Sequence, residues 1–275
     1  MNISNNIVTF PILNDPNVSL GIGDLQISKE TMSIAIGYQA GQFTQGTNSI
    51  AIGLQAGQVN KNNNSIAIGS NCGQFTQGTN SIAIGSEAGQ SQDQYSIAIG
   101  SQAGQTIQSS NCIAIGAGSG QLYQNNNSVS ICIYAGQFTQ GTNSIAIGQT
   151  CGQQSQNEYT IALGLNAGRN TQGKYCIALG NTSASNLQSD YGTSIGVNTA
   201  ISRQGTYAIA IGAGAGSLSQ SQQSIVLRTS TSWINNSYQT VSGFFAANIR
   251  SLPLGKGINK LVYDPTTYEI VRSSN

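Results

Sequence analysis

The chain has 275 residues, of which only 7% are charged, with Lys plus Arg at 10, Asp plus Glu at 9 and no histidine. An ordinary globular protein carries about 25% charged residues, and a net charge of +1 supplies no electrostatic footprint for nucleic acid. With 34 glycines and abundant Gln, Asn, Ser and Thr the composition borders on that of a disordered polar tract, but 38% of the residues are hydrophobic and they recur regularly, which argues for order.

Taken in chain order, Met1 to Asp15 contains no basic residue and no apolar run of signal-peptide length. No stretch anywhere reaches the ~20 apolar residues of a membrane helix. Neither secretion by a standard signal nor membrane insertion is therefore expected. Residues 1–16 hold Pro11 and Pro16 and no repeat, and are assigned as an N-terminal cap.

A repeat then runs from Asn17 to Arg228. Aligned on the glycine that ends each Ser-Ile-Ala-Ile-Gly run, it passes through Gly37, Gly53, Gly69, Gly85, Gly100, Gly116, Gly148, Gly164, Gly180, Gly196 and Gly212, with Cys132 in the vacant slot. Every step is sixteen residues except the fifteen from Gly85 to Gly100. Three residues before the glycine stand Ile or Val, broken once by Thr193; one residue before it stands Ile or Leu; between them lies Ala or Ser. Alternation with a period of two is a β-strand signal, and a sixteen-residue period means stacked coils in which each column becomes a ladder at ~4.8 Å spacing. The predicted fold is all-β, a parallel β-solenoid of about fourteen coils over 17–228.

The column pattern predicts a core ladder of Ile34, Ile36, Ile50, Ile52, Ile66, Ile68, Ile82, Ile84, Ile145 and Ile147, with the small-residue face covered by something else, such as a second subunit. A glutamine column, Gln45 to Gln220 with Lys61 as its exception, is expected to hydrogen-bond along the rod. An asparagine column, Asn48 to Asn143, gives way to Tyr159, Tyr175, Tyr191 and Tyr207. That aromatic ladder is a candidate platform for stacking a glycan, or a column that stabilises the rod.

After Arg228 the register is lost, Trp233, Phe244 and Phe245 appear, and residues 229–275 read as a separate trimerisation or attachment module. Within it Leu261–Tyr263 and Tyr268–Val271 flank a proline turn and predict a β-hairpin.

Ser33-Ile34-Ala35-Ile36-Gly37 resembles the repeat of trimeric autotransporter adhesin heads of the YadA type, and Ala35 to Gly41 resembles the AIGYQA repeats of phage and giant-virus tail-fibre-like proteins. The likeness covers most of the chain. It implies a left-handed β-roll, a homotrimer, and a structural fibre at a virion surface or in the extracellular space. The partners it implies are further copies of the chain, other virion structural proteins and a host receptor or glycan. The segment Gly243–Arg250 followed by Leu261–Thr267 is similar to one that leads, in such fibres, into a self-cleaving chaperone domain.

No catalytic, metal or cofactor-binding residue is assigned. Cys72 and Cys151 fall in the small-residue column, Cys112 and Cys176 in the serine column and Cys132 in the glycine column, so ladder position accounts for all five. Gly212 to Gly216 mimics a nucleotide-binding glycine run, but the same columns produce it and no helix follows. The carboxylates are scattered over coils without a paired base or nucleophile. A glycan-binding or ice-binding solenoid is the competing function, and the threonine ladder that ice binding requires is interrupted at Asn60 and Gln154.

Overall fold

The computed structural model describes residues 25–28, 32–228, 243–246, 260–264 and 269–273. Among them there are β-strands, turns and bends but no helix. The main sheet has fifteen strands, of which the thirteen from Ser33–Ile36 to Ser224–Leu227 pair in parallel, one per coil, and bound twelve turns of a solenoid. Register is whole-coil throughout: Ile34 pairs with Ile50 and Ala35 with Ala51. Even the short coil keeps it, with Ile82 opposite Ile97. Its missing residue is taken from a corner, where the backbone N–H groups of Phe75 and Thr76 both donate to the carbonyl of Gln90 at 3.0 and 3.1 Å. Shorter strands such as Thr44–Gln45, Thr76–Gln77 and Ser155–Gln156 form the opposite wall.

At the ends the sheet is extended differently. Leu25–Ser28 runs antiparallel beside Ser33–Ile36, with Ile27 opposite Ile34. The assigned cap at 1–16 and the in-register run Asn17–Gly21 lie outside the described residues. Past Arg228, Gly243–Ala246 continues the sheet in parallel, placing Phe244 in register with Ile225 and Phe245 with Val226. Lys260–Asp264 and Glu269–Ser273 pair antiparallel, as the hairpin pattern predicts.

Chain reversal at the corners uses the left-handed region. Asn48 and Tyr159, both in the column five residues before the glycine, have φ of 56° and 59°. Asparagine enters this region at low cost because its short polar side chain bonds locally. The glycine column demands more. Gly148 has φ 130°, and a β-carbon there would sit 2.6 Å from the carbonyl oxygen of Gly164 in the next coil. Coils approach too closely at this point for any side chain pointing along the axis, and Cys132 is accommodated with φ shifted to 99°.

The strand orientation overturns the assignment of the isoleucines to the coil interior. Ile34, Ile36, Ile50, Ile52, Ile66, Ile68, Ile82, Ile84, Ile145 and Ile147 lie on the outside of the coil, half-buried or exposed, while Ala35, Ala51, Ala67, Ala83 and Ala146 between them are 0–1% exposed. The reason is width. A methyl group added at Gly41 would meet Gln45 Oε1 at 2.7 Å and the β-carbon of Ala35 at 3.3 Å. The two walls and the corner thus touch through their smallest groups, and a branched aliphatic has no space there.

What fills the interior is alanine, serine and glutamine. Ser49 Oγ donates to the carbonyl of Gly46 at 2.6 Å, and Ser65, Ser81 and Ser128 repeat the bond in their own coils. Each glutamine crosses the interior, as when Gln124 Nε2 donates to the carbonyl of Ile113 at 2.8 Å and to Gln140 Oε1 at 3.1 Å. The amides form two runs, Gln92 to Gln140 and Gln156 to Gln220, every donor aimed at the following coil.

Lys61 stands in this column with no exposed surface, its Nζ donating to Gln77 Oε1 at 2.5 Å. Burial lowers its pKa from 10.5 to about 7. The neighbouring Cys72 is pushed up to about 12 by the same burial, as are Cys151 to about 12 and Cys176 to about 11. These thiols are held as small apolar side chains that donate weakly, Cys151 Sγ to the carbonyl of Ala162.

Two measurements check this interior. Ala146→Leu should cost about 1–3 kcal/mol or more by overpacking, read as a lower midpoint in thermal or urea unfolding; a variant that melts with the wild type would place alanine outside the coil. For Lys61, the unfolded chain binds more protons than the folded one between about 7 and 10.5, so the contribution to stability rises with pH across that window and is lost as pH falls through 7. Lys61→Gln, which restores the amide column, should therefore be the more stable protein at pH 6, with its advantage shrinking towards pH 9. Equal unfolding curves at pH 6 would show that the amine reaches water.

Candidate functional site

With the small residue turned inwards, every coil presents two aliphatic side chains to the outside, except that Thr193 replaces one of them in its coil. The columns of Ile34 and Ile36 continue through thirteen strands to Ile225 and Leu227 without a charged residue. Seven of these side chains, among them Ile68, Ile115, Leu163 and Leu227, are 36–45% exposed, and the remainder are partly buried by their neighbours along the ladder. Twelve intervals at ~4.8 Å make a stripe about 60 Å long and roughly 10 Å wide, or about 600 Å². That is at the upper end of what a soluble monomer leaves open. The residues read as core are thus brought together, but as a surface.

A second surface ladder was not anticipated. Five residues after each glycine, or after Cys132 in that slot, stand Gln42, Gln58, Gln74, Gln90, Gln105, Gln121, Gln137 and Gln153, a sixteen-residue recurrence legible in the sequence apart from the fifteen-residue step to Gln105. Gln58 Nε2 donates to Gln42 Oε1 at 2.9 Å, Gln137 to Gln121 at 2.9 Å and Gln153 to Gln137 at 2.8 Å. Arg169 closes the row, its Nε donating to Gln153 Oε1 at 3.1 Å. Here each donor faces the preceding coil, opposite to the interior amides.

The tyrosine ladder is present as a stack. Ring centroids of Tyr159 and Tyr175 are 5.1 Å apart at 5°, those of Tyr175 and Tyr191 5.1 Å at 10°, and those of Tyr191 and Tyr207 4.6 Å at 9°. The faces between consecutive rings are occupied by the next ring, so along its length the column offers solvent the ring edges and hydroxyls. Beside it Lys174 Nζ pairs with Glu158 Oε2 at 3.3 Å, bridging two coils. Both partners are about half exposed, and such a pair contributes little.

Two shallow polar grooves recur at equivalent places, one at Asn62, Thr76, Gly78 and Asp93, the other at Asn157, Thr171, Gly173 and Asp190. Each is the notch left where glycine supplies no side chain. Asp190 Oδ1 in the second accepts the backbone N–H of Lys174 at 2.8 Å, so it is engaged in joining coils. Among the described residues no group of three or more His, Cys, Asp or Glu is gathered as a metal site. Cys132 is exposed, and the other four cysteines are buried and free.

Residues 77–103 match the family model of the YadA head domain repeat, in two copies. No curated protein and no solved structure matches the chain. The matched residues take in Ser81–Gly85 and Ser96–Gly100, and so contribute two of the thirteen strands that carry the outer aliphatic stripe and the alanine interior.

Proposed function

We propose that the chain is the shaft of a structural fibre, a homotrimeric rod displayed on the surface of a virion or cell and used for attachment. The observation that carries this reading is the uncharged stripe, aliphatic at every position but Thr193, which runs through thirteen strands. A stripe of that length and pitch is matched best by another copy with the same coil spacing, because identical ladders interdigitate over their whole length. Three copies with their stripes turned to a common axis bury all three at once, and the likeness to YadA head repeats supports that number. A trimer of rods holds its end away from the particle and gains from several weak contacts together. A host receptor or glycan and other virion proteins are the further partners of this reading. Near-identical coils also permit slippage by a whole coil, and we assign the task of aligning the chains to residues 229–275, which break the repeat.

Analytical ultracentrifugation tests the assembly. The wild type should sediment as a trimer at micromolar concentration, and a stable monomer there would overturn the proposal. Ile115→Lys combined with Ile147→Lys should weaken self-association by about a hundredfold or more, since two unpaired charges per chain would enter the interface. The variant should keep its β circular dichroism, because both side chains lie outside the coil. Truncation after Arg228 should give trimers of uneven length in electron micrographs; uniform rods would assign register to the coils themselves.

A further inference from the structure

The four stacked tyrosines have chemistry that a purely structural column does not require. Tyr159, Tyr175, Tyr191 and Tyr207 occupy the same corner of successive coils, each held at φ 58–59°. Their rings lie within 10° of parallel at centroid distances of 4.6–5.1 Å. All four are 44–55% exposed, so a diffusing oxidant reaches them. Four further described tyrosines, Tyr38, Tyr95, Tyr123 and Tyr134, are 42–62% exposed and have no stacked ring among the described residues.

We propose that this ladder is a site of oxidative cross-linking, at which dityrosine bonds form between consecutive coils of one chain. The oxidant is hydrogen peroxide acting through a haem peroxidase. Two phenols each lose one electron and one proton, giving two phenoxyl radicals, while the peroxide takes up both electrons and both protons and leaves as two waters. The radicals couple through ortho carbons to form one C–C bond. The two ring protons at those carbons then move to the phenoxyl oxygens, restoring both aromatic rings and hydroxyls. The net loss from the protein is two hydrogen atoms per link.

Stacking supplies what the step needs. Phenoxyl radicals on separate chains must meet by diffusion, whereas radicals on neighbouring coils are already in contact, and proximity of this kind is worth orders of magnitude in effective concentration. Each bond would close a loop of one coil and tie Tyr159 to Tyr175, Tyr175 to Tyr191 or Tyr191 to Tyr207. The C-terminal third of the solenoid would then resist unwinding under the same oxidising attack that damages an ordinary surface protein.

The experiment treats the full chain with a haem peroxidase and hydrogen peroxide, and follows dityrosine fluorescence, denaturing electrophoresis, intact mass and peptide mapping. The expected result is a band at the mass of one chain that has lost two hydrogens per link, with cross-linked peptides confined to the four ladder residues. Tyr175→Phe with Tyr191→Phe keeps a stacked aromatic column but leaves Tyr159 and Tyr207 apart, and should lower the within-chain yield by about tenfold or more. Prior unfolding in denaturant should do the same to the wild type. Links found only between chains, links spread equally over Tyr38, Tyr95, Tyr123 and Tyr134, or an undiminished within-chain yield in the double variant would each overturn the proposal.

Discussion

A coil interior wide enough for a methyl group on one wall and a single amide on the other is the constraint on which the rest of this structure depends. At Gly41, Ala35 and Gln45 three segments of the coil meet at contact distance. Large apolar side chains are therefore expelled, and the usual arrangement of aliphatic core and polar surface is reversed. The outward isoleucines follow from the narrowness of the coil, and so does the apolar stripe they lay along its surface. Stability within the chain falls to stacked hydrogen bonds and close packing of small groups rather than to a hydrophobic centre.

The polar interior has its own direction. In the runs from Gln92 to Gln140 and from Gln156 to Gln220 each amide donates to the next coil, so the dipoles align and reinforce one another. Both runs begin at an amide oxygen without a partner, that of Gln92 and that of Gln156. Gln92 lies at the fifteen-residue step. Ahead of Gln156, Gln140 spends its Nε2 on the carbonyls of Val129 and Ser144 and its Oε1 on Ser130 Oγ. The break in the amide ladder follows the coil whose Ser130 bonds Gln140 Oε1 and whose Cys132 interrupts the glycine column. A buried unsatisfied acceptor costs about 1–3 kcal/mol, so these two coils are weaker joints in an otherwise uniform rod.

Outside, the rod changes character near Tyr159. The corner column, asparagine from Asn48 to Asn143 apart from Tyr95, becomes continuously aromatic there, and the outer glutamine row ends at Arg169 ten residues later. The first part of the array is lined by amides that bond to each other along the axis, the last part by stacked rings. Both are solutions to one requirement, that a side chain recurring every coil must be compatible with its own copy above and below. Charged residues fail that requirement, which accounts for a composition with 7% charge.

Coil length, strand position, the in-register stacking of every column and the hairpin at 260–273 were all legible in the sequence, because a period of sixteen and an alternation of two leave no other arrangement for Ser-Ile-Ala-Ile-Gly. The columns of Gln45 and Tyr159 could likewise be read as ladders from spacing alone. Which face of the strand turns inwards could not, since alternation gives Ile34 and Ala35 opposite sides without saying which side is the interior. Residue type pointed the wrong way: isoleucine is usually the buried partner, and only the distance between the walls shows that alanine must be. The burial of Lys61, the closure of the tyrosine faces against one another and the broken amide run at Gln140 belong to the same class. Each depends on how close two backbones come, a quantity that no column of the repeat contains and that only the folded coil decides.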